Sequence, residues 1–184
     1  EVVIKGGKLI PPETHSKSPE QGKKKWVPVV DAIKNFPPLD AKNKQSAQDA
    51  SVLFHKVPVL DEDKYFWVSN TPPGKSAFDN QCVECGFDRN TGHSTKHDSE
   101  GINRASKTTP LNCEKCGALL PRPSAKNPDG SLRIMSGFTS AYKRMSPDLP
   151  APALTRNFSY ACSDQKIHPY QNRVLSIAEA LKIH

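Results

Sequence analysis

With 184 residues, only 35% of them apolar, and with 17 prolines and 10 glycines, the chain can bury no more than a thin core, in one domain or two small ones. No apolar run approaches the roughly 20 residues of a membrane helix and the start carries no signal-peptide pattern, so a helical membrane protein is excluded and a cytoplasmic one expected. The net charge of +7 is uneven: residues 1–60 carry 10 basic and 6 acidic groups, 61–130 carry 9 and 10, and 131–184 carry 7 and 3. Basic ends around a near-neutral middle suit a protein that flanks a polyanion.

In chain order, 1–4 and 8–10 read as short strands around the Gly6-Gly7 turn, and Pro11-Pro12 delays any helix. A loop with Lys23-Lys24-Lys25 follows. Val29, Val30, Ile33 and Phe36 fall at helical spacing before Pro37-Pro38 stops the run. Residues 40–51 are polar and expected to be exposed. Asp61 can cap a helix through Tyr65-Phe66-Trp67-Val68, whose aromatics suit a core better than base stacking. Gly74-Lys75-Ser76 resembles the end of a phosphate-binding loop, but Ser69 stands where that loop needs glycine, so a nucleotide site is rejected. Asn127-Pro128-Asp129-Gly130 is a turn; 138–145 and 153–158 read as strands across a proline-rich corner. Ser176-x-x-Glu179 is a capping box opening a helix with Ile177, Ala180 and Leu181 on one face. The expected fold is α+β: small, irregular and loop-rich, with short strands, a zinc-knuckle insertion and a C-terminal helix. The start at glutamate and the end two turns into that helix suggest part of a longer polypeptide.

Four of the five cysteines form two Cys-x-x-Cys-Gly knuckles, Cys82/Cys85 and Cys113/Cys116, separated by 27 residues. A two-residue gap turns both sulfurs of a knuckle toward one ion, and the glycine provides the backbone freedom the turn needs. Two knuckles complete a tetrahedron, so structural zinc is expected; four thiolates leave no open position for catalysis. Without secretory signals, disulfides are disfavoured. His93 and His97 lie between the knuckles and could replace a thiolate, but are better read as loop residues. Cys162 has no base beside it, and its spacing to His168 does not require a nucleophilic pair.

From Gly137 onward the wording becomes distinctive. Tyr142-x-Arg144, then Pro150, Pro152 and Thr155, then His168-Pro169-x-x-x-Arg173 leading into a helix with Glu179-Ala180 together resemble the cytosine-C5 DNA methyltransferases, in order and in approximate spacing. Pro12-Glu13-Thr14-His15-Ser16 is similar to a stretch just before that family's variable region. The chain departs from the pattern at Ala153 and Arg156, where threonines are common, and at Lys182 or His184, where a glutamine is common. It has no Pro-Cys nucleophile dipeptide, no Glu-Asn-Val and no glycine-rich cofactor segment.

The resemblance implies a target-recognition region: a lead-in over 1–40, a variable region over 41–136 with the knuckles at 82–116, and DNA-contacting strands with the family motif over 137–184. It implies a bacterial or phage restriction-modification setting and double-stranded DNA as partner. S-adenosylmethionine would be bound by a catalytic domain of the same polypeptide, and the fragment alone would be inactive. Because a cytosine must be flipped out for attack, this part would hold and read the duplex. Tyr142, Lys143, Arg144, Thr155, Arg156, Asn157, Ser163 and Lys166 are the expected DNA contacts. His168, Pro169, Arg173 and Glu179 are expected to act as scaffold, with Arg173 bonding backbone. Two rival readings are a zinc-ribbon nuclease of the His-Asn-His type, using His93, His97 and Asn103, and a zinc-binding interaction module without catalysis.

Overall fold

A computed structural model describes residues 3–5, 8–10, 13–19, 22–93, 109–136 and 140–184. Among them regular structure is sparse, as the proline and glycine content dictates. The elements are β1 (Val3–Lys5), β2 (Lys8–Ile10), β3 (His15–Ser16), β4 (Lys24–Lys25), α1 (Val29–Ile33), α2 (Glu62–Ser69), a 3-10 turn (Ala77–Asp79), β5 (Ser124–Lys126), β6 (Leu132–Ile134) and α3 (Ile177–Ile183). The strands make three two-stranded ribbons: β1 with β2 and β5 with β6 antiparallel, β3 with β4 parallel. The fold is a small irregular α+β arrangement. No helix among the described residues is long and apolar enough to cross a membrane.

Local signals hold where they are chemical. Asp61 accepts the backbone N–H of Lys64 and caps α2, and Ser176 and Glu179 close the expected capping box on α3. The turn at Asn127–Gly130 forms, with Gly130 at φ +84° and Asn127 N–H donating to Ser131 O. The first ribbon also forms at the expected place, although Gly6, Gly7, Pro11 and Pro12 lie outside the described residues.

Four expectations change. The α1 helix ends at Ile33 rather than Phe36, and Phe36 instead stacks on the His55 ring at 5.2 Å. Residues 40–51 are not simply an exposed stretch. Ala41 and Ala47 sit in the core, because Asp40 N–H donates to Ser46 O and Ala47 N–H to Asn43 O, rolling the segment into a turn. No strand ladder forms over 140–145 or 153–158. Tyr142 takes φ +49°, which is incompatible with extended pairing, so Lys143 and Arg144 make only single bridges to Ser76 and Ile167. Residues 155–163 are instead successive turns, closed by Phe158 N–H to Thr155 O, Tyr160 N–H to Asn157 O and Ser163 N–H to Tyr160 O. Phe138 and Thr139, which open the first expected strand, lie outside the described residues. On α3 the buried residues are Glu179 and Ala180, while Ile177 and Leu181 are 45% and 66% exposed. Glu179 on that face pairs with Arg173.

The core is built across the chain. Leu39, Val57, Trp67, Val68, Phe78, Tyr142, Ile167 and Val174 belong to one buried cluster, so the segments 41–136 and 137–184 share it. A second cluster joins Val29 and Ile33 of α1 to Met145 and Leu175. A third is local to the knuckles: Cys82, Cys113 and Leu120 with Phe87 and Ala118 against them.

Candidate metal centre and nucleic-acid interface

The two knuckles fold into matching turns. Cys82 N–H donates to Phe87 O and Cys113 N–H to Ala118 O, and Gly86 and Gly117 take φ +67° and +77°, a region that glycine enters without steric cost. The four sulfurs all lie within 4.8 Å of one another. Cys82 Sγ is 3.6 Å from Cys116 Sγ and Cys85 Sγ 3.7 Å from Cys113 Sγ. Zinc–sulfur bonds of about 2.3 Å place the corners of a tetrahedron about 3.8 Å apart, so the cluster has the dimensions of a four-thiolate metal site. The cysteines are free thiols, and their burial alternates: Cys82 and Cys113 inside, Cys85 and Cys116 exposed.

The thiols already compete for ionisation. Burial opposes charge on Cys113, but the backbone amides of Cys116 and Lys115 outweigh it and draw that thiol down to about 6. A backbone amide at Ala118 favours the Cys116 thiolate, yet the neighbouring sulfurs, led by Cys85, push it up to about 12. Four thiols so close cannot all shed their protons without a cation, and a divalent metal such as zinc would resolve the conflict.

The knuckles are clamped from outside. Thr91 donates through N–H and Oγ1 to the Glu114 carboxylate, and Glu114 N–H donates to Asn90 Oδ1. Arg122, fully buried, donates to the carbonyls of Asn80, Thr91 and Pro110, tying both flanks of the 94–108 segment to the core. His93 is not among the clustered ligand atoms: its ring stacks on Phe78 at 4.1 Å, its Nδ1 meets Thr109 Oγ1, and burial lowers it to about 4. His97 and Asn103, which the nuclease reading would need, lie outside the described residues.

The expected DNA contacts separate into two groups. Tyr142, Arg144 and Lys166, expected to face DNA, are instead buried in the fold. Tyr142 is 2% exposed, with its ring edge-on to Trp67 at 5.5 Å. Arg144, at 3% exposure, spends every guanidinium donor internally: Nε on Thr71 O, Nη1 on His168 O and Gln171 O, Nη2 on Val68 O and Asn172 Oδ1. Burial lowers Arg144 to about 10, which still leaves it charged at neutral pH. Lys166 is fully buried and donates to Ala153 O and Asp164 Oδ2, pinning the proline-rich corner. A basic residue facing inward looks identical in sequence to one facing a phosphate.

Thr155, Arg156 and Asn157 are exposed, and Lys143 is half-buried. Ser163 is half-buried, with its hydroxyl donating to Asn157 O and Tyr160 O, so it braces the 155–163 loop rather than projecting from it. Two surface residues beside this group were not among the expected DNA contacts. Lys75 is exposed next to the Ser76–Lys143 bridge, and Tyr160 is 62% exposed on the same loop as Arg156.

The scaffold residues interlock. Arg173 makes a bidentate pair with Glu179, at 2.6 Å and 2.7 Å, with both side chains essentially buried. It also donates to Val174 O and Gln171 Oε1, so backbone is only one of its partners. Glu179 accepts Ser176 N–H as well. His168 Nδ1 accepts the N–H groups of Tyr170 and Gln171, which fixes the neutral tautomer with the proton on Nε2. Burial first, then the Arg173 charge, holds His168 down at about 3. Pro169, also buried, lies in the same turn.

No family model matches the chain, and no curated protein matches it.

Proposed function

We propose that the chain is the target-recognition part of a DNA (cytosine-5)-methyltransferase, holding duplex DNA while a catalytic domain of the same polypeptide transfers the methyl group from S-adenosylmethionine. The supporting observation is the convergence of the resembling residues. Arg144 stands well before His168, Arg173 and Glu179 in sequence yet belongs with them to one buried network, in which Arg144 donates to His168 O and Arg173 pairs with Glu179. Such a network would set the 142–144 segment and the base of α3 in fixed relation, as a recognition unit docked to a catalytic unit requires.

In this reading Lys143, Thr155, Arg156 and Asn157 supply the contacts. Lys143 and Arg156 would meet phosphates, and Thr155 and Asn157 would offer donors and acceptors to base edges. Zinc held by Cys82, Cys85, Cys113 and Cys116 would be structural, fixing the near-neutral middle region beside the contact loop. The missing nucleophile dipeptide and cofactor segment leave this chain no methyl-transfer chemistry of its own.

The test is binding of short DNA duplexes by fluorescence anisotropy over a range of salt. Affinity should fall as salt rises, and Arg156→Glu with Lys143→Glu should weaken it and flatten the salt dependence by about one unit of log–log slope per contact. Affinity indifferent to salt and to both reversals would refute the assignment. Incorporation of labelled methyl groups by the purified chain would refute the division of labour.

A further inference from the structure

The four thiols of the knuckles are not equivalent. Cys85 and Cys116 are exposed, whereas Cys82 and Cys113 are buried. The outer side of each knuckle is also open: a Cβ built on Gly86 or Gly117, the residues that follow the exposed cysteines, meets nothing within 4 Å among the described residues. A small oxidant therefore reaches Cys85 and Cys116 first.

The close sulfur contacts run across the knuckles. Cys116 Sγ lies 3.6 Å from Cys82 Sγ, and Cys85 Sγ lies 3.7 Å from Cys113 Sγ. Each exposed sulfur thus faces a buried sulfur of the other knuckle. Closing either gap to the about 2.0 Å of a disulfide requires the two side chains together to move less than about 2 Å. The register between the knuckles is set by contacts that use no sulfur. Asn90 and Thr91, beyond the first knuckle, hold Glu114 inside the second, and Arg122 ties Asn80 O to Thr91 O and Pro110 O. Cys162, the fifth cysteine, lies outside the cluster.

We infer that the knuckles are a peroxide modification site in which oxidation joins Cys82 to Cys116 and Cys85 to Cys113, two disulfides that cross between the knuckles and take over their cross-link as the metal leaves. This rests on the structural-zinc reading given above. In the first step the thiolate of Cys116 or Cys85 attacks hydrogen peroxide: an S–O bond forms, the O–O bond breaks, and the departing hydroxide takes a proton from solvent and leaves as water. In the second step the thiolate of Cys82 or Cys113 attacks the resulting sulfenic sulfur: the S–S bond forms, the S–O bond breaks, and a second hydroxide leaves as water. Each disulfide passes two electrons to one peroxide, so the four thiolates consume two. Disulfide sulfurs no longer carry the charge that holds a divalent cation, so the ion is released. Bonds inside each knuckle would leave the two knuckles uncoupled, whereas crossed bonds keep Leu120, Phe87 and Ala118 packed together around the cysteines.

The experiment titrates the zinc-loaded chain, kept dilute, with hydrogen peroxide. Released zinc is read with a chromogenic chelator, connectivity by peptide mass spectrometry, and local folding by amide exchange over 82–93 and 109–120. Glu84 separates Cys82 from Cys85 and Lys115 separates Cys113 from Cys116, so cleavage after glutamate and lysine puts the four cysteines on separate peptides. One zinc ion should be released per two peroxide molecules, and Cys82–Cys116 and Cys85–Cys113 peptides should appear together. Amide protection should survive, in contrast to its loss on chelation, and a thiol reductant with added zinc should restore the starting state. Bonds inside a knuckle, a Cys82–Cys113 bond, bonds to Cys162 or between molecules, or sulfinic acid formed without disulfide would each overturn the crossed pairing while the zinc reading stands. Zinc content before oxidation tests that reading by itself: a chain that holds no zinc yet forms both crossed bonds refutes the zinc reading and upholds the pairing.

Discussion

Replacing Glu179 with glutamine isolates the element on which the C-terminal part of the fold turns. The carboxylate receives two guanidinium bonds from Arg173 and one backbone bond from Ser176, with side-chain exposures of 1% for Glu179 and 0% for Arg173. Glutamine retains one acceptor, enough for Ser176, but turns an amide donor toward the guanidinium donors of Arg173 and leaves a buried charge uncompensated. Breaking such a pair from one side costs about 3–5 kcal/mol, against a total of about 5–15 kcal/mol for a domain. The pair is too buried for solvent to screen much of this. In urea, followed by tryptophan fluorescence, the midpoint should fall by at least about 1 M, given slopes of about 1–3 kcal/mol per molar. Arg173→Met combined with Glu179→Leu should recover most of the loss, since apolar replacement removes the stranded charge. The pH dependence follows the same logic. Burial disfavours the Glu179 carboxylate, but Arg173 outweighs it and holds the group below its ordinary value. Its contribution is therefore complete above the unfolded carboxyl range and lost as pH falls through the lowered folded value. A Glu179→Gln protein within about 1 kcal/mol of the wild type at neutral pH would refute the reasoning, because no buried pair can lose a partner so cheaply.

Other consequences are equally direct. Purified protein should carry one zinc ion, measured by elemental analysis; Cys85→Ser should lower its retention, and chelation should abolish amide protection around 82–93 and 109–120, because metal binding and folding of such a site are one equilibrium. His168 should stay neutral with the proton on Nε2 from pH 8 down to about 4 by nitrogen NMR. Since its folded value is lowered to about 3, the stability it confers is present above about 6.5 and declines below that as the unfolded chain gains the proton. Asp61→Ala should cost about 1 kcal/mol by removing the α2 cap, read by thermal or urea unfolding.

Sequence by itself determined whatever depends on short-range chemistry. The Asp61 cap, the Ser176–Glu179 box, the Asn127–Gly130 turn and the pairing of two Cys-x-x-Cys-Gly knuckles are each decided within a few residues, where side-chain type and spacing suffice. The α+β, loop-rich character was legible for the same reason, since proline and glycine interrupt every run before it lengthens.

Tertiary structure decided which way side chains face. Arg144 and Lys166 carry the charges of a DNA contact, yet buried backbone carbonyls at Thr71, Val68, His168 and Ala153 claim them. Arg156 remains at the surface. Ile177 and Leu181 lie outside on α3, whose buried residues are Glu179, held by the Arg173 guanidinium, and Ala180. Tyr142 left its expected strand for a left-handed turn, and its ring packs edge-on against Trp67 in the core. Such outcomes depend on partners dozens of residues away, and no local spacing in the sequence encodes them.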